Sequence, residues 1–260
     1  MLLAIDTGNT NTVFSVWDGE KFLFSLRTST EYQRTADQYF VWWDTLTRHH
    51  GFPKLEITGV VISSTVPRVV FNLRVFTDRY FGLRPLVVGK PDCLLPVDVR
   101  VDTGTAVGPD RLVNTVAGWK HFGGDLIIVD FGTATTFDVA DADGAYIGGV
   151  IAPGVNLSLE ALHMAAAALP HVDITRPQKV IGTNTVACMQ SGIYWGYIGL
   201  VKEICARIQA EHDRSMRVIG TGGLAPLFQQ SEDLFDAFEE DLTMTGLVEI
   251  YNHNKAQGNV

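Results

Sequence analysis

Twice in this chain an apolar run stops at an aspartate and passes into a loop of glycine and threonine, and a chain with that repeat has few folds open to it. The first copy is Leu2-Leu3-Ala4-Ile5-Asp6-Thr7-Gly8-Asn9-Thr10-Asn11, continuing into Thr12-Val13-Phe14-Ser15-Val16-Trp17. The second is Leu126-Ile127-Ile128-Val129-Asp130-Phe131-Gly132-Thr133-Ala134-Thr135-Thr136, continuing into Phe137-Asp138-Val139. Each run places a carboxylate at the end of a buried strand, and the small residues after it allow a tight turn with backbone N–H groups facing outward, which suits phosphate. Taken singly, either copy also reads as a strand that merely ends in a turn. Both go on alike, however: a second strand reaches Asp18-Gly19 or Asp143-Gly144, a hairpin signal, and a third strand follows. Two β-β-β openings on one plan imply two halves of like fold. If the halves face each other, two loops meet across a cleft that fits a polyphosphate with its metal.

The length of 260 residues accommodates one large or two ordinary domains, and the repeat favours two, divided as 1–118 and 119–260. Hydrophobic content of 46% with 19% charged residues is that of a folded globular chain, with disorder expected only at the tail 255–260. A net charge of -9 argues against nucleic acid or an anionic membrane as partner, since both demand basic patches. The N-terminus has no basic leader, and no apolar run approaches the ~20 residues that span a bilayer, so the expected location is the cytoplasm. Cys93, Cys188 and Cys205 lack CxxC spacing and read as reduced thiols, and the seven histidines form no ligand set, so no structural zinc is expected.

Along the first half, Thr35-Ala36-Asp37-Gln38 has the form of a capping box before an amphipathic helix that ends near Gly51. A buried strand over 57–64, a helix over 66–81 with Pro67 in its first turn, and a short strand over 85–88 complete a β-β-β-α-β-α-β order, a mixed sheet with helices packed on it. Residues 89–108 read as a loop, leading through Val107-Gly108-Pro109-Asp110-Arg111 into a helix over 112–122. Asp110 either caps that helix or acts as a general base, with Arg111 clamping an anion or carboxylate.

In the second half, Gly148-Gly149-Val150-Ile151-Ala152-Pro153-Gly154 eases a bend or lets a ligand approach the backbone. A helix follows over 155–169, its Ala165-Ala166-Ala167-Ala168 run reporting propensity alone. Ile181-Gly182-Thr183-Asn184-Thr185 opens a long helix to about residue 210, with Thr183 or Asn184 available as a cap. A strand at 216–219 runs into Gly220-Thr221-Gly222-Gly223-Leu224-Ala225, where a flat base or phosphate can lie against backbone. This turn is neither GxGxxG nor a P-loop, so the Rossmann and Walker readings fail. A last helix is expected over 243–254.

Two phosphate loops followed by a late Gly-Gly turn resemble the acetate and sugar kinase, Hsp70 and actin superfamily, whose members pair two ribonuclease-H-like domains around a nucleotide cleft. Within it, Asp6-Thr7-Gly8-Asn9-Thr10, Gly108-Pro109-Asp110-Arg111, Asp130-Phe131-Gly132-Thr133-Ala134-Thr135, Ile151-Ala152-Pro153-Gly154, Gly182-Thr183-Asn184-Thr185 and Gly220-Thr221-Gly222-Gly223 resemble the type III pantothenate kinases, in that order and over nearly the whole chain. The resemblance implies ATP-dependent phosphorylation of pantothenate, the first step towards coenzyme A, by an α/β protein of two ribonuclease-H-like domains. It implies that Asp6, Thr7, Gly8, Asn9, Thr10, Asn11, Thr12 and Val13 bind ATP phosphates with Asp6 near magnesium, and that Thr133, Gly222 and Gly223 also contact ATP. Gly108, Pro109, Asp110 and Arg111 would bind pantothenate, with Asp110 as proton acceptor and Arg111 on the carboxylate, and Thr185 would contact the same substrate. Asp130 would hold a monovalent cation, potassium or ammonium, and the protein would be a homodimer. Two positions depart from the pattern: Val101 stands where the family carries a tyrosine beside the acceptor, and Pro109 replaces an alanine.

Phosphoryl transfer asks a protein mainly for positioning and charge neutralisation. Neither loop contains Lys or Arg, so bound cations must supply much of the neutralisation. The competing readings are another small-molecule kinase of the superfamily, such as a sugar kinase, and a nucleotide-binding regulatory module; the short length and the 108–111 cluster speak against the first, and the intact Asp6, Asp110 and Asp130 against the second.

Overall fold

A computed structural model describes residues 1–166, 169–229, 231 and 234–260. The chain forms two compact units: Met1–Asp98 with Asp102–Ala117 and Leu242–Val260, and Val99–Val101 with Gly118–Asp241.

The first unit holds β1 (Leu2–Thr7), β2 (Asn11–Trp17), β3 (Phe22–Ser29), α1 (Ala36–His49), β4 (Gly59–Ser64), α2 (Pro67–Phe81) and β5 (Leu86–Val87). Its sheet order is β3-β2-β1-β4-β5, with β1 antiparallel to β2 and parallel to β4. Every residue of β4 is buried, and the alternation along β1 serves two faces. Leu3 and Ile5 pack with Phe14, Tyr39, Leu73 and Phe76 under α1 and α2. Leu2 and Ala4 point the other way, into a core with Val113 and Val116 of α3 (Pro109–Phe122) and Met244, Leu247 and Ile250 of α7 (Leu242–Ala256). Helix α1 starts on a complete capping box, in which Thr35 Oγ1 accepts from Gln38 N and Gln38 Oε1 accepts from Thr35 N. Pro67 takes the first position of α2, and Gly82 ends it at φ 65°.

The second unit repeats the plan with β6 (Leu126–Phe131), β7 (Ala134–Ala140), β8 (Tyr146–Pro153), α4 (Val155–Ala165), α5 (Thr185–His212), β9 (Arg217–Thr221), α6 (Ala225–Gln229) and β10 (Ala237–Phe238). Read from β8, its order is β8-β7-β6-β9-β10, strand for strand the order of the first sheet. The burial patterns of β1 and β6 are identical, and both hairpins carry a register shift near the far end, at Val16/Trp17 and Val139/Ala140. Gly148, at φ 137°, supplies the backbone that the second shift needs. Ile127, Val129 and Phe137 meet Tyr194, Ile198 and Val201 of α5 in the core.

Several boundaries differ from the expected ones for local reasons. Helix α3 begins at Pro109, because proline suits a first helical position, so Asp110 lies inside the first turn. Helix α4 ends at Ala165; 167–168, within the stretch expected to be helical, lie outside the described residues. The C-terminal tail is tied down: Asn259 Nδ2 donates to Asp92 O and to Asn254 Oδ1, while Asn254 bonds both backbone groups of Leu94. Those bonds also fasten α7 to the first unit.

Candidate active site

In the first unit Asp6 is the penultimate residue of β1, opposite Val13 on β2 and Ser63 on β4. The loop beyond it closes with Gly8 N donating to Asn11 O at 2.9 Å, leaving Asn9 and Thr10 exposed at the tip. Thr30, just past β3, braces this loop from below: its N–H donates to Thr10 O at 2.9 Å and its hydroxyl to Gly8 O at 2.7 Å. Gly8 has no positive φ, and a Cβ there would meet only Asn11 O at 3.7 Å. No contact among the described residues requires glycine at that position, and a side chain there would enter the space beside the loop.

Asp110, at the second position of α3, accepts the Arg111 N–H at 2.9 Å, and Gly108 makes room for it, since a Cβ on Gly108 would lie 2.6 Å from Asp110 Oδ1. Asp110 thus sits inside the first turn, where its charge suits the helix dipole, rather than at the cap position, and this does not exclude the basic role. Burial pushes the Asp110 carboxyl above its usual range against the pull of the Arg111 N–H and guanidinium. Burial also lifts Asp6 to about 7; the Ser63 hydroxyl and Arg27 oppose the rise and the Asp110 carboxylate adds to it. Thr7 Oγ1, on the opposite face of β1, is buried with no hydrogen-bond partner among the described residues. The Asp6 carboxylate, raised further by the nearby Asp110 carboxylate, and the Ser63 hydroxyl paired with it on the same face of the sheet form a donor set fit for a hard cation and its water.

In the second unit Asp130 occupies the position equivalent to Asp6, between Thr136 on β7 and Thr221 on β9. Gly222, at φ 94°, packs directly on it: a Cβ would lie 2.3 Å from Asp130 Oδ1. The turn expected to receive adenosine thus closes over the second aspartate. Gly132 resembles Gly8, with ordinary contacts only, and Thr133 is exposed. Gly154 has a packing role, because a Cβ would come within 2.1 Å of Thr133 O. Gly182 likewise abuts the first turn of α5, where Asn184 is the cap, its Oδ1 accepting from Ala187 N at 2.9 Å.

Thr185, the first residue of α5, is exposed; Val101 follows the bridge between Val99 and Tyr146 in the second unit. No hydrogen bond among the described residues joins either of them to the two aspartate clusters. Thr30 and Ser63 were not singled out from sequence: Thr30 acts on residues 20 and more positions away, and Ser63 offers only the signal of a polar residue ending a buried strand. Among the described residues, no group of three or more His, Cys, Asp or Glu side chains could hold a metal ion, and no helix is long and apolar enough to cross a membrane.

A family model described as type III pantothenate kinase matches residues 2–207. The chain is 78% identical over 255 residues to a type III pantothenate kinase of Roseobacter denitrificans, covering 98% of this chain and 99% of that protein. It is 75% identical to one of Ruegeria pomeroyi over the full length of both. Among solved structures, a Baf family transcriptional activator from Campylobacter jejuni aligns with TM-score 0.61 at 17% identity, covering 98% of this chain and 99% of that one. A 2-dehydro-3-deoxygalactonokinase protein from Sinorhizobium meliloti aligns with TM-score 0.60 at 11% identity, covering 97% and 96%. At those identities the structural likeness is one of fold: the two-sheet architecture is that of the actin-like and sugar-kinase proteins.

Proposed function

The chain belongs to the type III pantothenate kinase family and phosphorylates pantothenate with ATP at the first step of coenzyme A biosynthesis, and we propose that Asp110 is the base of that reaction. The observation that carries this is the Asp110 carboxylate, held at the start of α3, raised by burial, and near enough to Asp6 to perturb it. Asp110 takes the proton of the pantothenate primary hydroxyl as that oxygen bonds to the γ-phosphorus and ADP leaves. Arg111 pairs with the pantothenate carboxylate, with Gly108, Pro109, Val101 and Thr185 completing the acceptor site.

On the donor side, residues 6–13 seat the ATP phosphates, supported by the exposed tip and the absence of any close contact at Gly8 among the described residues. Thr133, Gly222 and Gly223 contact the rest of the nucleotide. Magnesium, when bound, neutralises phosphate charge; Asp6 is the side chain that would hold it, one carboxylate beside substrate phosphates being the usual arrangement for this ion. Asp130, roofed by Gly222, would hold potassium or ammonium. The protein is cytoplasmic in this reading, which its free cysteines support.

It is also a homodimer through the second unit. Met164, Val180 and Ile181 are 70%, 64% and 82% exposed, and Gly192, Gly196 and Gly199 form an open stripe on α5 where an added Cβ meets nothing within 4 Å. An apolar face of this kind around a bare helix stripe fits a second copy of the same helix.

The direct test of the base is Asp110→Asn. General-base help is worth about 10²- to 10⁴-fold, so turnover falls by that much while ADP binding persists; turnover equal to the parent's excludes Asp110 from the role.

A further inference from the structure

We propose that Thr30 is a positioning residue for the phosphates of ATP, fixing the peptide planes of loop 8–10 from the side opposite the ligand. The proposal rests on that loop being the seat of the phosphates.

Its hydroxyl has one proton, and that proton goes to Gly8 O at 2.7 Å. The 3.0 Å contact with Thr12 Oγ1 is then a bond in which Thr12 donates and Thr30 accepts. Together with the Thr30 N–H on Thr10 O, one residue grips the loop at two carbonyls and ties itself to β2 through Thr12. All peptide bonds here are trans, so turning the Gly8 carbonyl down toward Thr30 turns the Asn9 N–H up, to the exposed face. An outward N–H held in advance is what a phosphate oxygen needs, since the loop has no cationic side chain.

Thr30 is itself held in place. The following segment is pinned at Arg34, whose Nη1 donates to Thr28 Oγ1, whose carbonyl accepts from Asn72 Nδ2 of α2, and whose guanidinium lies over the Tyr39 and Trp42 rings of α1. The brace therefore runs from two helices of the first core to the loop. Its purpose is not to close the hairpin, which Gly8 N and Asn11 O already do.

The test compares the parent protein with Thr30→Val, which keeps the shape and loses the hydroxyl, and Thr30→Ser, which keeps both bonds. Calorimetric titration with ADP and with adenosine is paired with KM values for ATP and pantothenate. In Thr30→Val, ADP affinity falls and KM for ATP rises by roughly tenfold, the scale of two neutral hydrogen bonds, while adenosine affinity and KM for pantothenate stay put; Thr30→Ser restores the parent values. Should the valine variant not fold, Thr30→Ala takes its place. Unchanged ADP affinity in a folded Thr30→Val or Thr30→Ala, or a Thr30→Ser as weak as either, overturns the proposal. Gly8→Val separates the premise: if it binds ADP like the parent, loop 8–10 does not seat the phosphates, and the reading falls together with the brace.

Discussion

Burial holds the Asp6 carboxyl at about 7 in the folded protein, whereas in an unfolded chain it titrates near its ordinary 3.8. Between those values the folded state keeps a proton that the unfolded state has lost, so stability falls as pH rises through this window and the full penalty stands above it. Asp6→Asn should therefore stabilise the ligand-free protein, by on the order of 2–4 kcal/mol at pH 8 and by less at pH 5, while abolishing turnover. Thermal melts at the two pH values check this, and a gain that does not grow with pH contradicts it. Asp6, Asp110 and Asp130 were legible in the sequence because each sits where an apolar run stops or a helix starts. Ser63 and Thr30 were not, because their importance lies in cross-strand partners that only the β1–β4 and β2–β3 registers bring near.

Elements show the same division between packing and ligand. Gly222 sits at positive φ against Asp130, so Gly222→Ala should destabilise the protein by roughly 2 kcal/mol or more in chemical denaturation. Gly8 has neither constraint, and Gly8→Ala should leave stability within about 0.5 kcal/mol while weakening ADP binding. If both variants behave alike, the distinction between a structural and a ligand-facing glycine is wrong. The strand-Asp-loop repeat made the two sheets readable, since apolar alternation and hairpin turns are local signals. The two-residue β10 and the packing of α7 on the first sheet carry no such signal: both are decided by partners distant in the chain, β9 for one and the Leu94 backbone for the other. Glycines of one motif class also proved to have different roles, with Gly154 and Gly182 serving close backbone contact.

For the whole molecule, the open stripe on α5 leads to an expected change of state. Gly196→Glu has space in the single chain, so it should fold, and sedimentation should show it as a monomer beside a dimeric parent; two dimers would place the partner surface elsewhere. Charge sets the other global condition. With a net charge of -9 and no Lys or Arg in either loop, activity should require magnesium and rise when potassium or ammonium replaces sodium. The measurement that bears most directly on the central claim is ADP release coupled to formation of 4′-phosphopantothenate, for the parent and Asp110→Asn, with pantothenate present or absent and with potassium, ammonium or sodium. The expected result is pantothenate-dependent transfer by the parent, stimulated by potassium or ammonium and nearly lost in Asp110→Asn. Transfer that ignores pantothenate, or that Asp110→Asn carries out as fast as the parent, would contradict it.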